Sequence, residues 1–78
     1  MSYASQTKVI RAQDARRGDT VYLTACDAWS PDIAIAEVLQ QDDFDWRLAF
    51  ARRLREVVNA DLIDAVEDPQ GFAVAAAA

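Results

Sequence analysis

Thr20-Val21-Tyr22-Leu23-Thr24-Ala25-Cys26 decides how the rest of the chain is laid out. Val21, Leu23 and Ala25 fall on one face and Tyr22, Thr24 and Cys26 on the other. This is the two-residue period of a half-buried strand, and the aliphatic Val21 side is the one to bury. Upstream, residues 8–12 (Lys-Val-Ile-Arg-Ala) make a second β-prone run, separated from the first by a polar connection ending in Gly18-Asp19. A glycine there can take the positive φ that closes such a loop, so the two runs predict an N-terminal β-hairpin. The length of the connection leaves its turn type open.

Downstream, Trp29-Ser30-Pro31-Asp32 carries a helix-start signal: Ser30 can cap, Pro31 suits the first helical position, and Asp32 suits the positive end of the dipole. Residues 33–39 (Ile-Ala-Ile-Ala-Glu-Val-Leu) alternate like a strand yet hold the alanines of a helix. One helical turn and then a short third strand over residues 36–39 are expected. Residues 42–58 predict one long amphipathic helix, with Asp42, Asp43 and Asp45 at its start and Arg52, Arg53 and Arg55 at its end, the charge order the dipole favours. Its apolar residues spread over about 200° of the circumference, wider than the ~100° stripe one contact needs, so this helix is expected to bury two faces. Arg47 and Arg55 project from within that apolar arc. Residues 61–67 alternate again as a strand. Asp68-Pro69-Gln70-Gly71 places Asp, Pro and Gly at the first, second and fourth positions of a type I turn, so residues 72–74 can return as a last short strand. The expectation is one small α+β domain over residues 8–74. It has an N-terminal β-hairpin, a short third strand, the helix 42–58 packed on the sheet, and a C-terminal strand or hairpin. A disordered tail 1–7 and an alanine tail 75–78 flank it.

Seventy-eight residues leave room for one domain. Sixteen of the hydrophobic residues are Ala, leaving 16 Val, Ile and Leu and seven aromatics to build an interior. A chain this short buries only about 60–65% of its unfolded surface, which favours a partner or a second copy of itself. Eight basic against thirteen acidic residues give a net charge of −5, which argues against a nucleic-acid partner or an anionic membrane surface. There is no His, and Cys26 is the only Cys, so neither a His/Cys zinc set nor a Cys–His nucleophile can be assembled. Gly18 and Gly71 are the only glycines, too few for a phosphate loop or a dinucleotide fingerprint. The Asp42-Asp43-Asp45 cluster lacks the spacing, the Gly and the later Glu of a calcium loop. No catalytic residue, cofactor or metal is expected, and the chain is not expected to be an enzyme. No run approaches the ~20 apolar residues of a membrane span. The N-terminal residues lack the pattern of a secretory signal, and a lone thiol suits the cytoplasm.

Residues 18–32, GDTVYLTACDAWSPD, resemble the core of a family of small bacterial proteins known as domain of unknown function 2849 (DUF2849). A strand of the type VVYLTADGGW is followed there by Ser and an acidic residue. The matching positions are Val21, Tyr22, Leu23, Thr24, Ala25, Trp29, Ser30 and Asp32. Residues 58–66 resemble the family's later strand, roughly VVDPYLIDV, through Val58, Leu62, Ile63, Asp64 and Val66, so the resemblance covers about residues 8–68. Two departures stand out: Cys26-Asp27-Ala28 replaces a Gly-containing turn, and residues 72–78 replace a basic C-terminal segment. The resemblance implies an accessory protein associated with assimilatory sulfite reductase, a candidate partner, and carries no catalytic residues.

Taken together, these features point to a non-enzymatic adaptor acting by contact with a protein partner or with itself as a homodimer. Trp46, Phe50, Arg47, Arg55 and Trp29 are the expected interface. The alternatives are a small oxyanion-binding sensor using the helix arginines Arg47 and Arg55, because Arg forks match oxyanions, and an acidic nucleic-acid mimic.

Overall fold

Five antiparallel strands and one helix make up most of residues 7–76, the part of the chain that the computed structural model describes. The chain order is β1 (Lys8–Asp14), β2 (Thr20–Leu23), β3 (Trp29–Ser30), α1 (Phe44–Arg52), β4 (Val57–Glu67) and β5 (Ala73–Ala75). The strands line up as β3-β2-β1-β4-β5, so the fold is α+β with the sheet predominating.

Both hairpins form where the sequence places them. In the first, Ala12 faces Val21 and Gln13 faces Thr20. Its loop is built on Asp14, whose carboxylate accepts the backbone N–H groups of Arg16 and Arg17 at 2.9 Å each. Gly18, at φ 76°, donates its N–H to the Asp14 carbonyl at 2.8 Å. Val21 and Leu23 are buried as the alternation requires, whereas Ala25 lies past the strand in an exposed turn. In the second hairpin, Asp68 accepts the Gly71 N–H at 2.9 Å and donates to the Phe72 carbonyl at 2.8 Å, with Gly71 at φ 90°. Val66 then faces Val74.

The helix is shorter than the expected 42–58. Gln41–Asp43 forms a 3-10 turn, α1 runs only to Arg52, and the N–H groups of Arg53 and Leu54 close it on Phe50 and Ala51, each at 3.1 Å. Val57 and Val58 open β4 instead, opposite Asp14 and Gln13. Two adjacent β-branched residues are stiff in a helix, and here β1 offers them a ladder. That ladder contains a bulge: Arg11 faces Asp61 and Gln13 faces Val58, so Asn59 and Ala60 together oppose Ala12. Asn59 sits at φ 58°, which Asn tolerates, and its side-chain amide donates to the Gln13 side chain at 2.9 Å. The extra residue puts Val57 and Ala60 on the same buried face although they are three apart.

The third strand expected over residues 36–39 is replaced by two isolated bridges. Ala36 pairs with Thr24 and Leu39 with Lys8, so the two ends of this segment meet different strands and cannot form one ladder. The third strand of the sheet is β3, which contains Trp29 and Ser30. Ser30 therefore caps no helix: its hydroxyl accepts the Asp32 N–H at 3.0 Å, and Asp32 caps the 3-10 turn Ile33–Ile35 by accepting from Ala34 at 2.9 Å.

Both faces of the sheet are covered. On one, Ile10, Ala12, Val21, Leu23, Val57 and Ala60 pack with Phe44, Leu48, Phe50 and Ala51 of α1. On the other, Val9, Ala65 and Ala73 pack with Ile33, Ala36 and Val38. The wide apolar arc thus resolves into helix residues packed on one face and Val57 and Val58, which belong to β4. Thr7, Ala75 and Ala76, assigned to tails by sequence, pair with β4: Ala75 closes β5 opposite Ala65, the Ala65 N–H bonds the Thr7 carbonyl and the Ala76 N–H bonds the Asp64 carbonyl, both at 3.1 Å. The rest of those tails, residues 1–6 and 77–78, lies outside the described residues.

Ile10 is 1% exposed on a strand flanked by β2 and β4. Ile10→Ala is expected to lower stability by roughly 2–5 kcal/mol, read as an earlier urea midpoint at unchanged m-value. A loss well under about 1 kcal/mol would show that this side chain is not close-packed.

Candidate functional site

Arg47 lies on the inward side of α1 with only 6% of its side chain exposed. Its guanidinium reaches Asp27 Oδ1 at 2.9 Å from Nη1, and Glu37 Oε1 at 3.0 Å from Nε and 2.8 Å from Nη2. Nη2 also donates to the Thr24 carbonyl at 3.4 Å. The rings of Phe50 and Trp46 lie 5.1 and 5.3 Å from its central carbon, within cation–π range. Trp46 is exposed, and its indole N–H is held by Asp43 at 2.9 Å. Arg47 is thereby committed to two internal carboxylates and a carbonyl, which leaves it unsuited to capture an outside oxyanion.

Asp27 belongs to the tight turn between β2 and β3. Its N–H bonds the Thr24 carbonyl at 3.0 Å, Thr24 donates to the Ala28 carbonyl at 2.8 Å, and Ala28 donates to the Thr24 hydroxyl at 3.2 Å. The turn puts Asp27 at φ 64°, in the left-handed region that favours glycine. The carboxylate that glycine would lack is the one that pairs with Arg47.

An open cleft of about 750 Å³ lies where residues 14–16, 27–29 and 55–57 meet. Two sequence-predicted interface residues, Trp29 and Arg55, line it, and the cleft adds Arg16, which sequence reasoning missed. Trp29 is half-buried against the core, and its indole N–H is buried without an acceptor among the described residues. Leaving such a donor unpaired costs about 1–3 kcal/mol. Of the other predicted interface residues, Phe50 packs against the core and Trp46 covers Arg47, so the five do not form one surface.

A second open feature is the outer edge of β5. The Asp68 N–H bonds the Phe72 carbonyl and the Ala76 N–H bonds the Asp64 carbonyl, so by antiparallel alternation Ala73 and Ala75 turn their backbone groups away from β4. No backbone hydrogen bond beyond the β4–β5 ladder uses them among the described residues. Phe72, Val74 and Val66 are each 41–47% exposed beside that edge. Among the described residues, no three His, Cys, Asp or Glu side chains are grouped to hold a metal, and no helix is long and apolar enough to cross a membrane.

A family model described as protein of unknown function (DUF2849) matches residues 8–77, nearly the whole chain. Neither a curated protein nor a solved structure matches it.

Removing Arg47 strands two carboxylates that are partly open to water, their side chains 54% and 33% exposed. Arg47→Ala should therefore cost near the lower end of the roughly 3–5 kcal/mol typical of a broken buried pair. Asp27→Gly should be less damaging than Asp27→Ala by about 1–2 kcal/mol in urea melts, because both lose the carboxylate but only alanine is strained at this φ. Equal losses would show that backbone conformation is not limiting there. The N–H groups of Arg17 and then Arg16 hold the Asp14 carboxyl below its ordinary pKa. A depressed folded value means a contribution that is present above the ordinary carboxylate range, about pH 4, and lost as pH falls through the folded value. Asp14→Asn should thus flatten the acid limb of a stability–pH curve below about pH 4, and an unchanged limb would contradict that role.

Proposed function

We propose that this chain, which belongs to the DUF2849 family, is a non-enzymatic accessory protein of the cytoplasm that works by taking an extended segment of a partner protein onto the open edge of β5. One observation carries this reading: β5 ends the sheet with its outward backbone groups unused among the described residues, and no side chain from Gly71 to Ala78 is charged. Natural edge strands are normally protected by Lys, Pro, bulges or a covering segment, because an open edge templates further pairing. Here the exposed apolar pair Val66 and Val74, with Phe72 beside it, continues the α1 side of the sheet past the helix. An added strand with alternating apolar residues would gain main-chain bonds from the edge and side-chain contact from that patch. The absence of His, of a second Cys and of a glycine-rich loop from the sequence supports a contact role over catalysis. The resemblance suggests assimilatory sulfite reductase as the partner.

The oxyanion-sensor alternative loses its support at Arg47, whose guanidinium is occupied from within. Arg55 keeps its place on the cleft.

Size-exclusion chromatography with light scattering, on the chain alone and mixed with sulfite reductase, tests the proposal. The expected outcome is a stable complex that is lost in Val74→Lys and in Ala75→Pro, with melting midpoints close to the parent chain. Proline at Ala75 removes an outward N–H and no ladder bond, so the fold should tolerate it. A chain that stays monomeric beside the reductase would overturn that choice of partner. A homodimer indifferent to the reductase but broken by both variants would make a second copy the occupant, and a complex that survives both would overturn the edge itself.

A further inference from the structure

The cleft between residues 14–16, 27–29 and 55–57 has its own charge pattern, and it is independent of the β5 edge. Three carboxylates and two guanidinium groups belong to its lining residues, which at first suggests a net negative site. Asp27 is paired with Arg47, while Asp14 has one oxygen taken by the backbone N–H groups of Arg16 and Arg17, which orient the carboxylate without neutralising it. Arg16 and Arg55 are exposed, and neither makes an ion pair or a side-chain hydrogen bond among the described residues. The side chains left without a partner among the described residues are thus two guanidiniums and the carboxylate of Glu56, with the Asp14 charge beside them, so recognition rests on the arginine forks and not on an excess of positive charge. Trp29 adds an aromatic surface, its indole N–H being buried away from the opening.

We infer that this cleft is a binding site for a small aromatic carboxylate, its flat body against Trp29 and its carboxylate on Arg16 and Arg55. The volume, about 750 Å³, falls in the range of roughly 300–1,000 Å³ in which small-molecule sites occur. The ligand chemistry follows from the walls. An arginine fork matches a planar carboxylate through two parallel hydrogen bonds, and an indole face favours a planar apolar body over a flexible chain. Bare inorganic anions would use the arginines and forgo the aromatic wall, so they are expected to bind weakly.

The test uses the full chain carrying Trp46→Phe, which leaves Trp29 as its only tryptophan and so makes its emission a local reporter. The probe is 2-naphthoate, set against its neutral counterpart 2-naphthalenemethanol and against sodium sulfate. Naphthoate should change Trp29 emission saturably and raise the melting midpoint, while the alcohol and sulfate leave both nearly unchanged. In the Arg16→Gln, Arg55→Gln double variant, affinity should fall by at least about tenfold, because the charge-assisted bonds are lost. Glu56→Gln should raise affinity several-fold by removing the opposing free charge. Arg16, Arg55 and Glu56 are all exposed, so these variants should fold as the parent does. No response to naphthoate up to about 1 mM, an equal response to the alcohol, or an affinity indifferent to the double variant would each overturn the assignment.

Discussion

The Arg47 guanidinium joins three parts of the chain that no continuous ladder connects. Its helix covers one face of the sheet, Glu37 belongs to the segment that covers the other, and Asp27 sits in the turn between β2 and β3. With a core of small residues, several of them alanine, the domain has little apolar area with which to fix the helix. A buried charge is costly unless it is fully paired, and here the two carboxylates come from different parts of the chain, so the charge is satisfied only when both are in place. The same requirement explains the strained backbone at Asp27. A glycine would relax the turn and forfeit the ion pair, so a left-handed aspartate is kept where backbone preference alone favours glycine.

The second constraint is β4, the longest strand, which pairs with β1 along most of its length and with β5 at its end. One added residue at Asn59 shifts its register so that Val57, Ala60 and Leu62 all meet the helix side of the sheet. The unwinding of the chain after Arg52 and the bulge serve the same end. The helix stops early enough to release Val57 and Val58 to the ladder, and the bulge then recovers the alternation needed further along. Arg52 ties the helix end to this strand through the Ala60 carbonyl at 3.3 Å.

Two surfaces are left over from that arrangement, and they call for different chemistry. The β5 edge offers backbone groups and aliphatic side chains, which suit an extended polypeptide. The cleft beside Trp29 offers guanidinium groups and an aromatic wall, which suit a small anion. They lie at opposite ends of β4, the cleft beside Val57 at its start and β5 paired with residues 65–67 near its end, so occupancy of one does not block the other.

Local signals in the sequence determined both hairpins, the burial of Val21 and Leu23, and the two glycine-dependent turns, because each rests on period-2 alternation or on backbone preferences within a few residues. They also determined that residues near 44–52 are helical and marked Arg47 and Arg55 as out of place in an apolar arc. Local signals could not determine where the helix ends, since residues 53–58 have acceptable helical neighbours and yield only to a ladder supplied by β1, more than forty residues away. Nor could they divide residues 33–39 between two faces, because Ala36 and Leu39 answer to different strands. The roles of the charged residues were decided by tertiary structure as well. Arg47 and Arg55 read alike along the chain, yet one is enclosed by Asp27 and Glu37 and the other is left open on a cleft, since partners for a charge are set by distance in space and not by spacing in sequence.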